Sequence, residues 1–339
     1  MPQIDVVAVV GTCPPERLRY AVETAEHTAR TVIPASRLAV SLDPVDEAIA
    51  LAPWVETRAG AVIEFPTGTP TTEIIGEFAH PSSPARLVGV TCVVDAPHLL
   101  DDLGRDDYLA YRAPDGGRTL RAAALAAVTQ IEYASTVVLA GWERLSTPDL
   151  SLALAIVSAL SPRCRLRLHP APSSAPELRT EYAAVQERPG WIAVLNDDHA
   201  PHMTDARVSA LRYEALRPFH PGRLAALLDG PVDAGAFGTV LRSAGFCRLA
   251  TRPHVTAHWE HVGRMLSFQP LATDDDLGVD DELLAAGQDL AFIGLDLDRA
   301  GLVAALDAAC LTDDEFAAGP EAWAGLPDPF PAWQGAGAD

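Results

Sequence analysis

The stretch that most constrains this chain is Val6-Val-Ala-Val-Val10, followed by Gly11 and then by Pro14-Pro15. Consecutive apolar residues, most of them β-branched, read as a strand buried on both faces. Gly11 reads as a tight turn, and the prolines as the first turn of a helix, where a missing N–H is tolerated. A strand-turn-helix at the head of an alternating chain is where a phosphate-binding loop sits, because the helix N-terminus offers unpaired N–H groups to an anion. Such a loop follows G-x-x-x-x-G-K-[ST], with a lysine on the phosphates and a hydroxyl on magnesium. Here Glu16 stands at the second glycine, Arg17 at the lysine and Leu18 at the hydroxyl. Pro14 and Pro15 also remove two N–H donors. The place for a nucleotide is present, and most of its chemistry is missing. Gly11 and Arg17 are the candidates to carry what remains.

Strands and helices alternate after this opening. The first helix is expected to run to about Arg30, with a second strand at Arg37–Leu42 and a short helix at Asp46–Leu51. A third strand is expected at Ala61–Phe65 and a helix at Thr72–Ala79. Leu87–Val94 is a nearly unbroken apolar run ending in Asp95, as a doubly buried strand requires. Leu120, Ala124, Val128 and Ile131 recur at helical spacing, predicting a helix over Arg118–Ala134. A strand at Thr136–Leu139, a helix at Asp149–Leu160 and a strand at Cys164–Leu168 complete the pattern. Alternation of this kind implies an α/β domain with a mostly parallel sheet covered on both faces, its ligands beyond the carboxyl ends of the strands.

The texture then changes. Residues 171–205 read as a linker with a polar, histidine-containing loop at Asn196–His202. Residues 206–333 read as a second, α+β domain, and 334–339 as a tail. Strands are expected at Val208–Glu214, Thr239–Leu241, Phe246–Leu249 and Leu290–Gly294, and helices at Pro221–Leu228 and Ala300–Ala309.

Composition narrows the function. A formal net charge of −21 argues against non-specific nucleic-acid binding, which needs clustered lysine and arginine. No run reaches the roughly 18 apolar residues needed to cross a bilayer, so neither a membrane nor a leader is expected and the expected location is the cytoplasm. The five cysteines are scattered without a C-x-x-C and are expected to be reduced thiols.

The second domain carries a specific resemblance. Arg217-Pro-Phe-His-Pro-Gly-Arg-Leu224, Arg242–Pro253, Phe292–Asp298, Leu311–Glu315 and Pro329–Trp333 closely resemble the C-terminal domain of CobW-type P-loop GTPases. The resemblance implies a P-loop-GTPase-like three-layer α/β domain followed by a CobW C-terminal α+β sandwich. Thr91-Cys-Val-Val-Asp-Ala96 resembles the family's V-V-D-A strand, and Gln130–Ala134 its Q-x-x-x-A helix. Ile63-Glu64 with Thr67-Gly68 resembles its switch segment.

Three family motifs are altered. The phosphate loop is Gly11–Leu18, the cysteine-rich metal segment is absent before Ile63, and the guanine-reading N-K-x-D is Ala140-Gly-Trp-Glu143. Each lost charge-assisted bond forfeits about 1.5–3 kcal/mol. This pattern looks most like an actinobacterial branch of the family, linked to zinc starvation, that recruits a hibernation factor to ribosomes. The resemblance therefore implies a cytoplasmic recruiting factor in zinc homeostasis, expected not to act as a GTPase itself, with protein partners such as the ribosome or a hibernation factor. Zinc is the cofactor it suggests, and GTP with magnesium is not expected. The competing reading is a GTP-dependent zinc metallochaperone whose phosphate loop is rebuilt around Arg17.

The degenerate nucleotide site is thus expected to comprise Gly11, Arg17, Asp95 and Glu143, with Glu64 beside them at the sheet edge. No catalytic residue is assigned. For metal, His254, His258 and His261 are spaced i, i+4, i+7 on an expected helix opened by Pro253, which would align three imidazoles on one face. His199 and His202 in the linker loop are the other candidates. His220 is expected to be structural, and Asp274–Asp276 a solvated loop.

Overall fold

The computed structural model describes residues 3–57, 59–112, 117–170, 180–183, 186–274 and 287–333. The chain divides into two compact units, one of residues 1–190 with 200–205, the other of residues 191–199 with 206–339.

The first unit is built on a six-stranded sheet of β1 (Ile4–Val10), β2 (Thr31–Ile33), β3 (Ala61–Glu64), β4 (Ala85–Asp95), β7 (Thr136–Ala140) and β8 (Arg165–His169). The spatial order is β2-β3-β1-β4-β7-β8, and every pairing is parallel. Helices α1 (Pro14–Thr28), α4 (Thr71–Ala79), α6 (Ala123–Glu132) and α7 (Thr147–Leu160) join the strands, with short α2 (Ala35–Leu38), α3 (Pro44–Leu51) and α5 (Leu99–Leu103) between. The central strands bury both faces: Val6, Val9, Val62, Ile63 and Val93 lie in the core.

Two elements differ from expectation. Arg37–Leu42 is the end of α2 and a turn rather than a strand, and the second strand is the shorter Thr31–Ile33. The start of the expected helix at Arg118 is instead β6 (Arg118–Ala122), paired antiparallel with β5 (Tyr108–Arg112). Leu120 owed its helical spacing to chance and is exposed on this hairpin.

The second unit is a five-stranded antiparallel sheet, ordered β12-β11-β10-β13-β9: β9 (Val208–Ala215), β10 (Thr239–Cys247), β11 (Val255–Val262), β12 (Met265–Thr273) and β13 (Gln288–Leu295). Two expected strands are thus the single β10. Helices α9 (Pro221–Leu227) and α10 (Arg299–Ala309) cover one face, where Trp259, Phe219, Tyr213, Phe292, Leu302 and Leu306 form the core. Within the segment expected as a linker, α8 (Gly190–Leu195) forms. Trp191, Val194 and Leu195 pack on Ala244 and Ala291, on the sheet face away from the main core. Helices α11 (Asp313–Ala318) and α12 (Pro320–Trp323) follow, the first opened by a reciprocal capping box between Thr312 and Glu315. Residues 334–339 and most of the acidic loop at Asp274–Asp276 lie outside the described residues.

Candidate functional site

The carboxyl ends of β1, β3, β4 and β7 converge where the order β3-β1-β4 places a crevice, and the sequence candidates arrive there as expected. Gly11 ends β1 with φ +152°, and a Cβ on it would stand 2.3 Å from the Val93 carbonyl oxygen. That close approach to β4 requires glycine. Pro14 opens α1, and Arg17 follows in its first turn.

Arg17 points inward, its side chain 3% exposed. Its Nε donates to Glu64 Oε1 at 2.9 Å, and Nη1 donates to the Gly11 carbonyl at 2.6 Å and to Thr67 Oγ1 at 2.8 Å. Glu64 in turn accepts from the Ala35 N–H at 2.9 Å through its other oxygen. The guanidinium therefore ties the loop after β1 to the loop after β3, and the buried carboxylate is satisfied at both ends. Two charges out of water are tolerated here because they are paired and hydrogen-bonded. The neighbouring Leu18, at the hydroxyl position, is 41% exposed.

A second pair lies at the ends of β4 and β7. Asp95, buried at 8%, accepts from Arg144 Nη2 at 2.6 Å and shares a 2.7 Å hydrogen bond with His98 Nδ1. Gly141 turns in the left-handed region at φ +66°, and the Arg144 side chain lies where its Cβ would be. Glu143, the fourth sequence candidate, is exposed in the short turn Trp142–Arg144. Thr12 donates to Asp102 at 2.6 Å, and the Cys13 thiol donates to Glu16 at 2.9 Å. Burial and this hydrogen bond push the Cys13 thiol up to about 11, while the same bond holds Glu16 below the usual carboxylate range. Arg144 and His98 were missed by sequence reasoning. The signal was available: a cation three residues beyond a glycine turn, directly after a buried strand, faces the carboxylate that ends the neighbouring strand.

The histidine candidates are not brought together. The segment after Pro253 is strand β11, not a helix, because Val255–Val262 alternates between the two sheet faces. His258 stacks beside Trp191 and Phe246 on the α8 face. His261, opposite Ser243, shares the other face with Trp259 and is buried. Burial, with the nearby Arg242 charge, pushes His261 down to about 4, and burial lowers His258 too. His254 is exposed and contacts Asp274 at 3.3 Å. His202 shares a hydrogen bond with Ser158 Oγ at 3.1 Å, and His199 belongs to the other compact unit. Among the described residues, no group of three or more His, Cys, Asp or Glu is placed to hold a metal ion. His220 caps α9, accepting from the Arg223 N–H, as a structural histidine should. All five cysteines are free thiols. No helix among the described residues is long and apolar enough to cross a membrane.

Residues 208–310 match the family described as the cobalamin synthesis protein cobW C-terminal domain. The chain is 26% identical over 145 residues to zinc-regulated GTPase metalloprotein activator 1 of Dictyostelium discoideum, a match covering 41% of this chain and 30% of that relative's length. It is 27% identical over 323 residues to a zinc chaperone of Mycobacterium tuberculosis, covering 84% of this chain and 71% of the relative. Among solved structures, the Zn(II)-bound YjiA GTPase from E. coli aligns at 13% identity with a TM-score of 0.35, covering 92% of this chain and all of that one.

Proposed function

We propose that this protein is a CobW-type factor of zinc homeostasis that works by binding and recruiting a protein partner, without turning over GTP. A parallel α/β domain joined to a CobW C-terminal domain is the framework, and relatives named as a zinc chaperone and a zinc-regulated GTPase metalloprotein activator support the zinc connection. The observation that carries the rest is the orientation of Arg17. In a working phosphate loop this position supplies a cation to the nucleotide. Here the cation is spent internally, on Glu64, Gly11 and Thr67.

The residues present do not fit a magnesium nucleotide. Arg144 and His98 engage Asp95, which would face the metal, and Pro14 and Pro15 lack donors for the phosphates. Leu18 offers no oxygen to magnesium. The histidines fit a zinc ion no better, since strand geometry separates His258 from His261. Zinc therefore enters this reading through the relatives, and the partner is a protein, with a ribosome hibernation factor as the specific proposal. An acidic chain of net charge −21 suits association with basic partners through complementary fields.

The relatives' names favour the second reading, a GTP-binding zinc metallochaperone with a rebuilt phosphate loop. Titration of fluorescent GDP with magnesium, with and without zinc, separates the two. The expected outcome is no saturable binding up to about a millimolar, a contribution of about 4 kcal/mol at most. Micromolar binding lost in Arg17→Ala would establish the second reading instead.

A further inference from the structure

The opposite edge of the same parallel sheet holds a feature that the nucleotide reading does not use. At the amino ends of β7 and β8 an open cleft of about 650 Å³ is lined by Arg163, Arg165 and Arg188, by Ser135 and Thr136, and, among the described residues, by one carboxylate, Glu187. The volume lies within the range of small-molecule sites, which run from about 300 to 1,000 Å³. In a chain of net charge −21, three guanidinium groups around one cavity are a marked local reversal of sign.

The Arg188 charge is held in place rather than swept through solvent. Arg188 lies over the Tyr182 ring, its Cζ 4.9 Å from the centroid. The Tyr182 hydroxyl donates to the Tyr133 carbonyl at 3.2 Å and accepts from the Val90 N–H at 3.3 Å, which anchors that platform to β4. Arg188 Nε is buried with no hydrogen-bond partner among the described residues. Arg165 opens β8 at the cleft, its backbone N–H donating to the Ser135 carbonyl at 2.9 Å. Glu187 reaches Arg163 at 3.8 Å, and both side chains are largely exposed, so that contact is weak.

We propose that this cleft binds the phosphate groups of a small phosphorylated molecule. Guanidinium forks match the paired oxygens of phosphate, and a group already stacked on an aromatic ring loses little freedom on binding. Thr136 lines the same cavity and adds a neutral donor, whereas the Ser135 hydroxyl donates to the Val90 carbonyl. The cleft and the Arg17–Glu64 site lie at opposite ends of the strands, so the two are separable by mutation.

The test is isothermal titration of the full chain with inorganic phosphate and with pyrophosphate, without added metal. Pyrophosphate is expected to bind saturably and more tightly than phosphate, and Arg163→Gln/Arg188→Gln to weaken it by roughly tenfold or more. The charge-retaining Arg163→Lys/Arg188→Lys pair should keep an intermediate affinity, and it carries the test if the glutamine pair is unstable. Absence of saturation up to about 10 mM, weaker than any useful site, overturns the proposal. So does equal affinity in the glutamine pair. Weakening by Arg144→Gln instead would place the anion at the carboxyl edge and also overturn it.

Discussion

Replacing Arg17 by methionine keeps the stem and removes the guanidinium, which isolates what its charge does. Three hydrogen bonds disappear, to Glu64, Gly11 and Thr67. Glu64 stays buried with only the Ala35 N–H as partner. Removing one member of a buried pair costs about 3–5 kcal/mol, because the other charge is left uncompensated. The surviving Ala35 bond and water reaching Thr67 place the expectation at the low end, about 3 kcal/mol. Glu64→Gln alone should cost about 2 kcal/mol, since Arg17 keeps two neutral acceptors. The double variant buries no net charge, so its loss should fall short of the sum of the singles by about 2 kcal/mol. The two units need not unfold together, so the assay is native-state hydrogen exchange read at amides of β1 and β3. Single losses below about 1 kcal/mol that simply add would refute the reasoning. Arg17 would then be a loosely held surface cation, free to meet a phosphate.

Two further outcomes follow from particular residues. His261 is held down to about 4, so its folded-state value lies below that of the unfolded chain. The unfolded chain then binds the proton first, and stability falls as pH drops from about 6.5 towards 4. The loss is about 3 kcal/mol, read as a steeper pH dependence of the thermal midpoint in the native chain than in His261→Leu, and equal slopes would count against it. Gly11→Ala should destabilise the first unit by about 2–4 kcal/mol or prevent its folding, since its Cβ meets the Val93 backbone, whereas Gly76→Ala on α4, where nothing lies within 4 Å, serves as the tolerated control in the same melts.

Much of the architecture was legible from local pattern. The doubly buried runs at Val6–Val10 and Leu87–Val94 became β1 and β4, and the alternation of elements implied their parallel pairing. The blocks around Arg217 and Arg242 pointed to the CobW C-terminal domain later matched over residues 208–310. Failures came where two periodicities fit one stretch. His254, His258 and His261 satisfy helical spacing, yet the last two belong to strand β11, whose alternation puts His261 with Trp259 on one face and His258 on the other. Leu120 joined a helical pattern, but pairing with β5 took its segment into a hairpin.

The sequence by itself determined which chemistry is missing at the head of α1: no lysine, no hydroxyl, two prolines. It also determined that Gly11, Arg17, Glu64 and Asp95 meet at one sheet edge, because each follows or ends a strand of the same parallel set. Only the tertiary structure decided what the remaining charges do. Arg17 and Arg144 lie 47 and 49 residues from Glu64 and Asp95, and no local rule selects those partners. Once the sheet removes both carboxylates from bulk water, each needs a cation within reach. The protein's own guanidinium groups were the nearest available.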